Sequence, residues 1–383
     1  GRRIVVSGEG GLKKLGHVPA LDGVRGLAVM LVVLFHFGLF GMGWIGVELF
    51  FVLSGFLITR LLLERKNTTL GRYLKQFYWR RILRIFPLYF GFLFVSGLIY
   101  FSVGLPGISE SQFPYLLTYT LNIAATFYEW QQDFFYTYLW SLSGEEQFYL
   151  LWPLLVFFLN RRWLFGLSLI IILLSPVIRW QTAEWLADAR GTTDLLGAAV
   201  YYFPVGRFDG FAMGALVATG IWPLLFGRPK RFLLIAGLLL ISTGAANFIL
   251  HLSKNPDYFY TSFGFPIASI QHGLHVWGYT VLNLFFGALI IIAIAPQGHV
   301  FGRWFSAKWI RQIGKVSYGI YIFHFPLFLL FAHFIPLYEN LWLRLICFLP
   351  YFAIVYGVSW FSYGYYESYF LKMKGKWSKK LST

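Results

Sequence analysis

Cysteine is all but missing from this chain. Its single example, Cys347, lies inside an apolar run, which excludes an intramolecular disulfide and a thiolate metal cluster. Charge is scarce as well. Only 13% of residues are charged, well below the roughly 25% of soluble proteins. Acidic groups are the scarcer kind: 16 Asp and Glu face 32 Lys and Arg, for a formal charge of +16. Heptads, low-complexity tracts and a convincing internal repeat are not found, and Gly1 to His17 hold no apolar core of the kind a secretory leader carries.

What the chain has instead is apolar length. Apolar residues make up 58% and aromatic residues 21%. Several apolar runs reach the roughly 20 residues that a bilayer core requires. Many Trp and Tyr sit at their ends, as an interfacial belt would place them. The composition therefore predicts an all-α polytopic membrane protein of about ten transmembrane helices. The spans read as 22–40, 45–64, 82–103, 146–160, 163–179, 197–224, 231–250, 277–296, 315–335 and 342–370. A surplus of +16 in a soluble protein would suggest nucleic acid. Here the positive charge lies in short loops between apolar runs, so it is read as a topology signal and a match to anionic lipid headgroups, with no nucleic-acid partner expected.

Basic residues alternate from side to side without a break. One set of loops carries Arg2, Arg3, Lys13 and Lys14, then Arg65 to Arg81, Arg161 and Arg162, Arg228 to Arg231, Arg303 to Lys315, and Lys372 to Lys380. The opposite loops carry only Arg179, Arg190, Lys254 and Arg344. The positive-inside rule then predicts cytoplasmic N- and C-termini. The expected organisation is a cytoplasmic segment (1–21), a transmembrane domain (22–371) and a basic cytoplasmic tail (372–383). Residues 104–140 form the largest outer segment, with Glu110, Glu129, Asp133 and no Lys or Arg; it is expected to pack on the membrane surface or dip into the bundle. The basic stretch Arg72 to Arg84 reads as an interfacial amphipathic helix leading into the third span.

Ionisable groups inside spans are costly and mark function. Arg25 and His36 are eleven residues apart in the first span. At 100° per residue they share a helix face, about 16 Å apart along the axis. A snorkelling arginine and a satisfied core histidine are the plain alternative. Beyond the turn at Gly41-Met42-Gly43, Glu48 lies as far after Met42 as His36 lies before it, so the two should match in depth. A carboxylate there would fix the imidazole tautomer and strengthen it as a base; the alternative is a first-turn acid favoured by the helix dipole. Arg81 and Arg84 are i,i+3 neighbours whose guanidinium forks suit phosphate oxygens. Ser143 and Glu146 have capping-box spacing, which leaves Glu145 and Gln147 to face an outer cavity. Arg207 and Asp209 form either a buried ion couple or a site for a polar acceptor. Lys315, Tyr318 and His324 line the ninth span, and Pro326 can free a backbone carbonyl there.

These segments resemble the acyltransferase-3 family of membrane acyltransferases. Arg25 and His36 match its Arg-x10-His pattern within LDGVRGLAVMLVVLFHFG, and GVELFFVLSGFLI places Glu48 at its acidic position. RRILRIFPLY carries the Arg-x-x-Arg motif at Arg81 and Arg84. WSLSGEEQFYLLWP, RFDGFAMGAL and VSYGIYIFHFPL complete the series in family order. The resemblance implies transfer of an acyl group, usually acetyl from acetyl-CoA, to a hydroxyl of a surface glycan, lipid-linked sugar or glycoside at the outer side of a bacterial inner membrane, with no metal. Some members carry an extra extracellular hydrolase-like domain; with the sequence ending at Thr383 soon after the tenth span, a stand-alone core is expected here. Expected roles are His36 as base oriented by Glu48; Arg25, Arg81, Arg84 and Lys315 on the donor; and Glu145, Gln147, Arg207, Asp209, Tyr318 and His324 on the acceptor. A transporter or flippase for a lipid-linked sugar or organic anion is the competing class. The residues set neither the acceptor, which includes macrolide-type glycosides, nor the oligomeric state.

Overall fold

The computed structural model describes residues 17–104, 108, 110–127, 135–190, 196–251, 261–295, 300–337 and 341–373. Arg2, Arg3, Lys13, Lys14, Glu129, Asp133, Lys254 and the tail beyond Met373 lie outside the described residues. Among those described, every regular element is helical, and eight helices are long and apolar enough to cross a membrane. The protein is an all-α polytopic membrane protein.

Helices α1 (Pro19–His36) and α2 (Ile45–Glu64) form a hairpin. Proline enters α1 at its first turn, where its missing N–H costs nothing. Helix α3 (Leu70–Val103) runs unbroken for 34 residues. The basic amphipathic stretch and the expected third span are therefore one helix. The outer segment folds into α4 (Phe113–Leu117) and α5 (Leu121–Phe127). It dips against the bundle: Tyr119 stacks on Tyr89 with ring centroids 4.4 Å apart, and Tyr89 donates a hydrogen bond to the Leu116 carbonyl.

Helix α6 (Trp140–Phe158) leads into α7 (Arg161–Arg190), which extends eleven residues past the expected end of its span. The expected span 197–224 is broken. It consists of α8 (Leu196–Tyr202), a 3-10 turn at Val205–Arg207 and α9 (Phe208–Ala218). Pro204 causes the break, since it lacks an N–H and pushes the residue before it out of the helical region. Short α10 (Pro223–Phe226) and long α11 (Pro229–His251) follow, then α12 (Leu274–Ile294). The basic helices α13 (Val300–Phe305) and α14 (Lys308–Lys315) precede α15 (Ser317–Phe334). Helix α16 (Leu341–Phe361) continues through a π-helical turn, Ser362–Glu367.

Burial sorts these helices. Some 72% of the apolar window of α2 is enclosed, and likewise for α12, against 17% for α11 and 11% for the span that begins with α16. The first pair forms the centre, and the second turns its side chains to lipid. Helices α2 and α9 touch backbone to backbone: a Cβ on Gly55 would strike the Phe211 carbonyl, and one on Gly214 the Val52 carbonyl. Glycine permits this approach, the small-residue packing typical of membrane helices.

Candidate active site

Five helices, α1, α2, α3, α6 and α15, enclose a cavity of about 100 Å³. Arg25, Arg81 and Arg84 reach into it from α1 and α3. Glu145, Glu146 and Tyr149 face them from α6, with Ser54 from α2 and Tyr318 and Tyr321 from α15. Three guanidinium groups thus meet two carboxylates in one enclosure. Glu145 accepts hydrogen bonds from Tyr149 (2.9 Å) and Ser54 (3.4 Å). Arg81 lies over the Tyr149 ring at 5.4 Å, a cation–π contact. Among the described residues, its Nε, like Glu146 Oε1, is buried with no hydrogen-bond partner. Burying such groups unpaired costs free energy.

The capping box does not form. Helix α6 begins at Trp140, three residues before Ser143, so Ser143 is already inside the helix and makes no side-chain cap. Its hydroxyl is buried without a partner, and Glu146 is left free to line the cavity. Gln147 goes elsewhere. Its amide pairs with Asn122 (3.0 and 2.8 Å) and donates to the Tyr119 carbonyl at 3.0 Å, pinning the outer segment onto α6.

Nor does the structure join Glu48 to His36. The wholly buried Glu48 carboxylate is held in an ion pair by Arg207. Arg207 in turn lies over the rings of Tyr279 (3.9 Å) and Tyr201 (4.9 Å). Glu48 points round α2 toward the turn before α9. Arg207 and Asp209 do not pair with one another either. Asp209 pairs with Arg179 of α7 at 2.9 Å, and Thr280 adds a hydrogen bond at 3.2 Å. Arg179, assigned from sequence to an outer loop, is completely buried and also donates to the Gly206 and Val276 carbonyls. Its signal was an arginine standing directly after an apolar run and Pro176.

His36 meets His324 instead. His324 Nε2 lies 3.2 Å from His36 Nδ1, joining α1 to α15. His324 is fully buried, His36 only partly. Pro326 contributes as its chemistry predicts: it leaves the Ile322 carbonyl without a helical donor, and Tyr138 donates to that oxygen at 2.6 Å. Tyr138 then packs edge-on to His324 at 5.3 Å. Tyr318 lines the cavity and donates to the Ile85 carbonyl at 2.9 Å. Lys315 is exposed over the Tyr363 ring at 5.1 Å and does not line the cavity. Of the expected donor set the cavity therefore gathers Arg25, Arg81 and Arg84; of the acceptor set, Glu145 and Tyr318. Among the described residues no cluster of three or more His, Cys, Asp or Glu could hold a metal ion.

A family profile described as an acyltransferase domain matches residues 18–364, so the chain belongs to the acyltransferase-3 family. It is 32% identical over 334 residues to the peptidoglycan O-acetyltransferase OatA of Listeria monocytogenes, covering 81% of this chain and 49% of that protein. It is 29% identical to the O-acetyltransferase OatA of Staphylococcus aureus, covering 81% and 50%. The chain thus spans about half the length of these relatives. No solved structure matches it.

Proposed function

We propose that this chain is a membrane O-acetyltransferase. It moves an acetyl group from cytoplasmic acetyl-CoA to a hydroxyl of a cell-envelope carbohydrate, peptidoglycan or its lipid-linked precursor, at the outer side of a bacterial inner membrane. The observation that carries this reading is the cavity in which Arg25, Arg81 and Arg84 converge, with His36 about 16 Å further along the same helix as Arg25. Three guanidinium groups suit the phosphates of a coenzyme A thioester. Arg81 Nε is a buried donor that an anionic oxygen would satisfy. The pantetheine arm would extend from that cluster toward His36. Kinship with proteins named peptidoglycan O-acetyltransferases supports a glycan acceptor.

In the chemistry this implies, the acceptor hydroxyl approaches His36 from outside. Nε2 of His36 takes the hydroxyl proton as the oxygen attacks the thioester carbonyl. A C–O bond forms and the C–S bond breaks. The departing thiolate recovers the proton from the imidazolium, leaving free coenzyme A and an acetyl ester. An acetyl-histidine intermediate would use the same nitrogen as nucleophile and deliver the same products.

The test is direct. Purified protein in lipid discs receives radiolabelled acetyl-CoA with and without soluble muropeptides. Labelled ester on the glycan, formed together with free thiol, is the expected result. Absence of both thioester cleavage and transfer in a folded preparation overturns the reading and returns the transporter class.

A further inference from the structure

The two histidines carry an inference about which nitrogen does the work. Resting on the proposed function above, we infer that His324 is a positioning residue that holds His36 in the Nδ1–H tautomer and so reserves His36 Nε2 as the proton acceptor.

The argument runs from the buried end outward. His324 Nδ1 faces two backbone carbonyls, Tyr321 at 2.7 Å and Ile320 at 3.2 Å. A carbonyl oxygen only accepts, so the proton of a neutral His324 sits on Nδ1. Its Nε2 is then a lone pair, and that lone pair faces His36 Nδ1 at 3.2 Å. The other neighbour of His36 Nδ1 is again a carbonyl, that of Val32, at 3.1 Å. Both partners accept, so Nδ1 of His36 must donate. One neutral imidazole carries one N–H, which leaves Nε2 of His36 with a free lone pair. Among the described residues Nε2 has no hydrogen-bond partner, and His36 is the only partly buried member of the pair. Unassisted, an imidazole exchanges between tautomers, and only the Nδ1–H form keeps Nε2 ready to accept a proton.

Packing fixes the rings as well as the protons. His324 is wedged by Tyr138 at 5.3 Å and Tyr321 at 5.6 Å. Tyr351 donates to the His324 carbonyl at 2.7 Å and ties α16 to the same turn. His36 is confined by Phe35 and Phe325, with centroids 5.1 and 5.0 Å away. The chain of hydrogen bonds ends at the Tyr321 and Ile320 carbonyls, which cannot take up a proton. His324 therefore orients and does not conduct. When His36 becomes an imidazolium, its Nδ1–H bond to His324 becomes charge-assisted and shorter. A neutral imidazole thus occupies the place that a carboxylate holds in better-known base pairs.

Two measurements test this. In the first, ¹⁵N-histidine spectra of the intact protein in lipid discs, assigned through His36→Ala, read the tautomer without any activity. Protonation of His36 at Nδ1 in the wild type, and a mixture in His324→Leu, is the expected result; protonation at Nε2 in the wild type overturns the inference. In the second, His324→Leu removes the acceptor at similar volume, while His324→Gln can return an oxygen near the Nε2 position. Val32 still favours the right tautomer, so His324→Leu should lower kcat about ten- to a hundredfold, as loss of an orienting partner does elsewhere, with unchanged KM for both substrates. His324→Gln should recover most of the rate, and His324→Leu should lower the residual rate of His36→Ala no further. A folded His324→Leu protein with normal kcat sinks the inference. Should His36→Ala itself turn over normally, the proposed role of His36 fails instead, and the spectra still decide the pairing.

Discussion

The Arg207 guanidinium is enclosed between the Glu48 carboxylate and the face of Tyr279, so that an ion pair joins α2 to the turn before α9 in a setting with almost no solvent exposure. An isolated charge left there would be expensive, which sets the behaviour of the pair. Glu48→Gln should therefore act on stability. The expected loss is about 3–5 kcal/mol, seen as a fall in thermal midpoint and in yield of folded protein, whereas kcat per folded molecule stays near normal. Arg207→Met in the same chain should recover part of the midpoint by removing the orphaned cation. A Glu48→Gln protein of normal stability and greatly reduced kcat would return Glu48 to the chemistry.

His36→Ala tests the base. Removing a general base costs roughly a hundred- to ten-thousandfold in rate. Acetyl transfer should fall by that factor, while binding of coenzyme A, measured by calorimetry, stays intact because Arg25, Arg81 and Arg84 remain in the cavity. Near-normal turnover would make the histidine structural.

Arg81→Ala and Arg84→Ala probe the donor. Each removes one charge-assisted contact, about 1.5–3 kcal/mol, which is roughly a ten- to hundredfold rise in KM for acetyl-CoA. KM for the glycan should not move. Unchanged donor KM in both variants would reduce these arginines to topology signals.

Orientation is checked with single cysteines in a Cys347→Ser background. Asn67 is exposed after α2, and Gln271 is exposed before α12. The basic alternation predicts that an impermeant maleimide reaches Gln271→Cys from outside intact cells, and Asn67→Cys only after the membrane is opened. Labelling of both from one side rejects the assigned topology.

Close packing supplies a further test. Gly214→Ala puts a methyl group against the Val52 carbonyl where α2 and α9 meet. Overpacking of this kind costs about 1–3 kcal/mol. Gly166→Ala, inside α7 with open space around its Cβ, serves as the control and should not lower the thermal midpoint.

The helices were legible because the bilayer demands long apolar runs, and α2 was read to the residue. Helix ends were less so. The polar turns of α7 beyond the hydrocarbon keep their backbone bonds, and no apolar signal marks them, whereas the amphipathic pattern of Arg72 to Arg84 did mark the polar start of α3. The cavity arginines were legible as paired forks at one end of a span. Partnerships were not. Equal distance from a turn sets two residues at one depth, yet says nothing of the direction each faces around its helix. For that reason Glu48 matched His36 on paper and meets Arg207 in space. His324 was visible as a deep histidine before a proline, but only the packing of α15 against α1 reveals what it touches. The place of Glu146 was hidden by a plausible cap that the earlier start of α6 removes.

Helix α3 has one more consequence. Thirty-four residues at 1.5 Å each make a rod of about 51 Å, against a hydrocarbon layer of about 30 Å. The rod carries Arg81 and Arg84 some 16–21 Å from its first residue, and Tyr366 ties it to the end of the chain through the Pro87 carbonyl. Pro87 interrupts its hydrogen-bond ladder just beyond the two arginines, so the helix can tilt, slide or bend there as the surrounding lipid thickens or thins. The height of the two guanidinium groups is thereby linked to acyl-chain length in the membrane. If these two arginines hold the acyl donor as proposed, lipid composition becomes an input to catalysis.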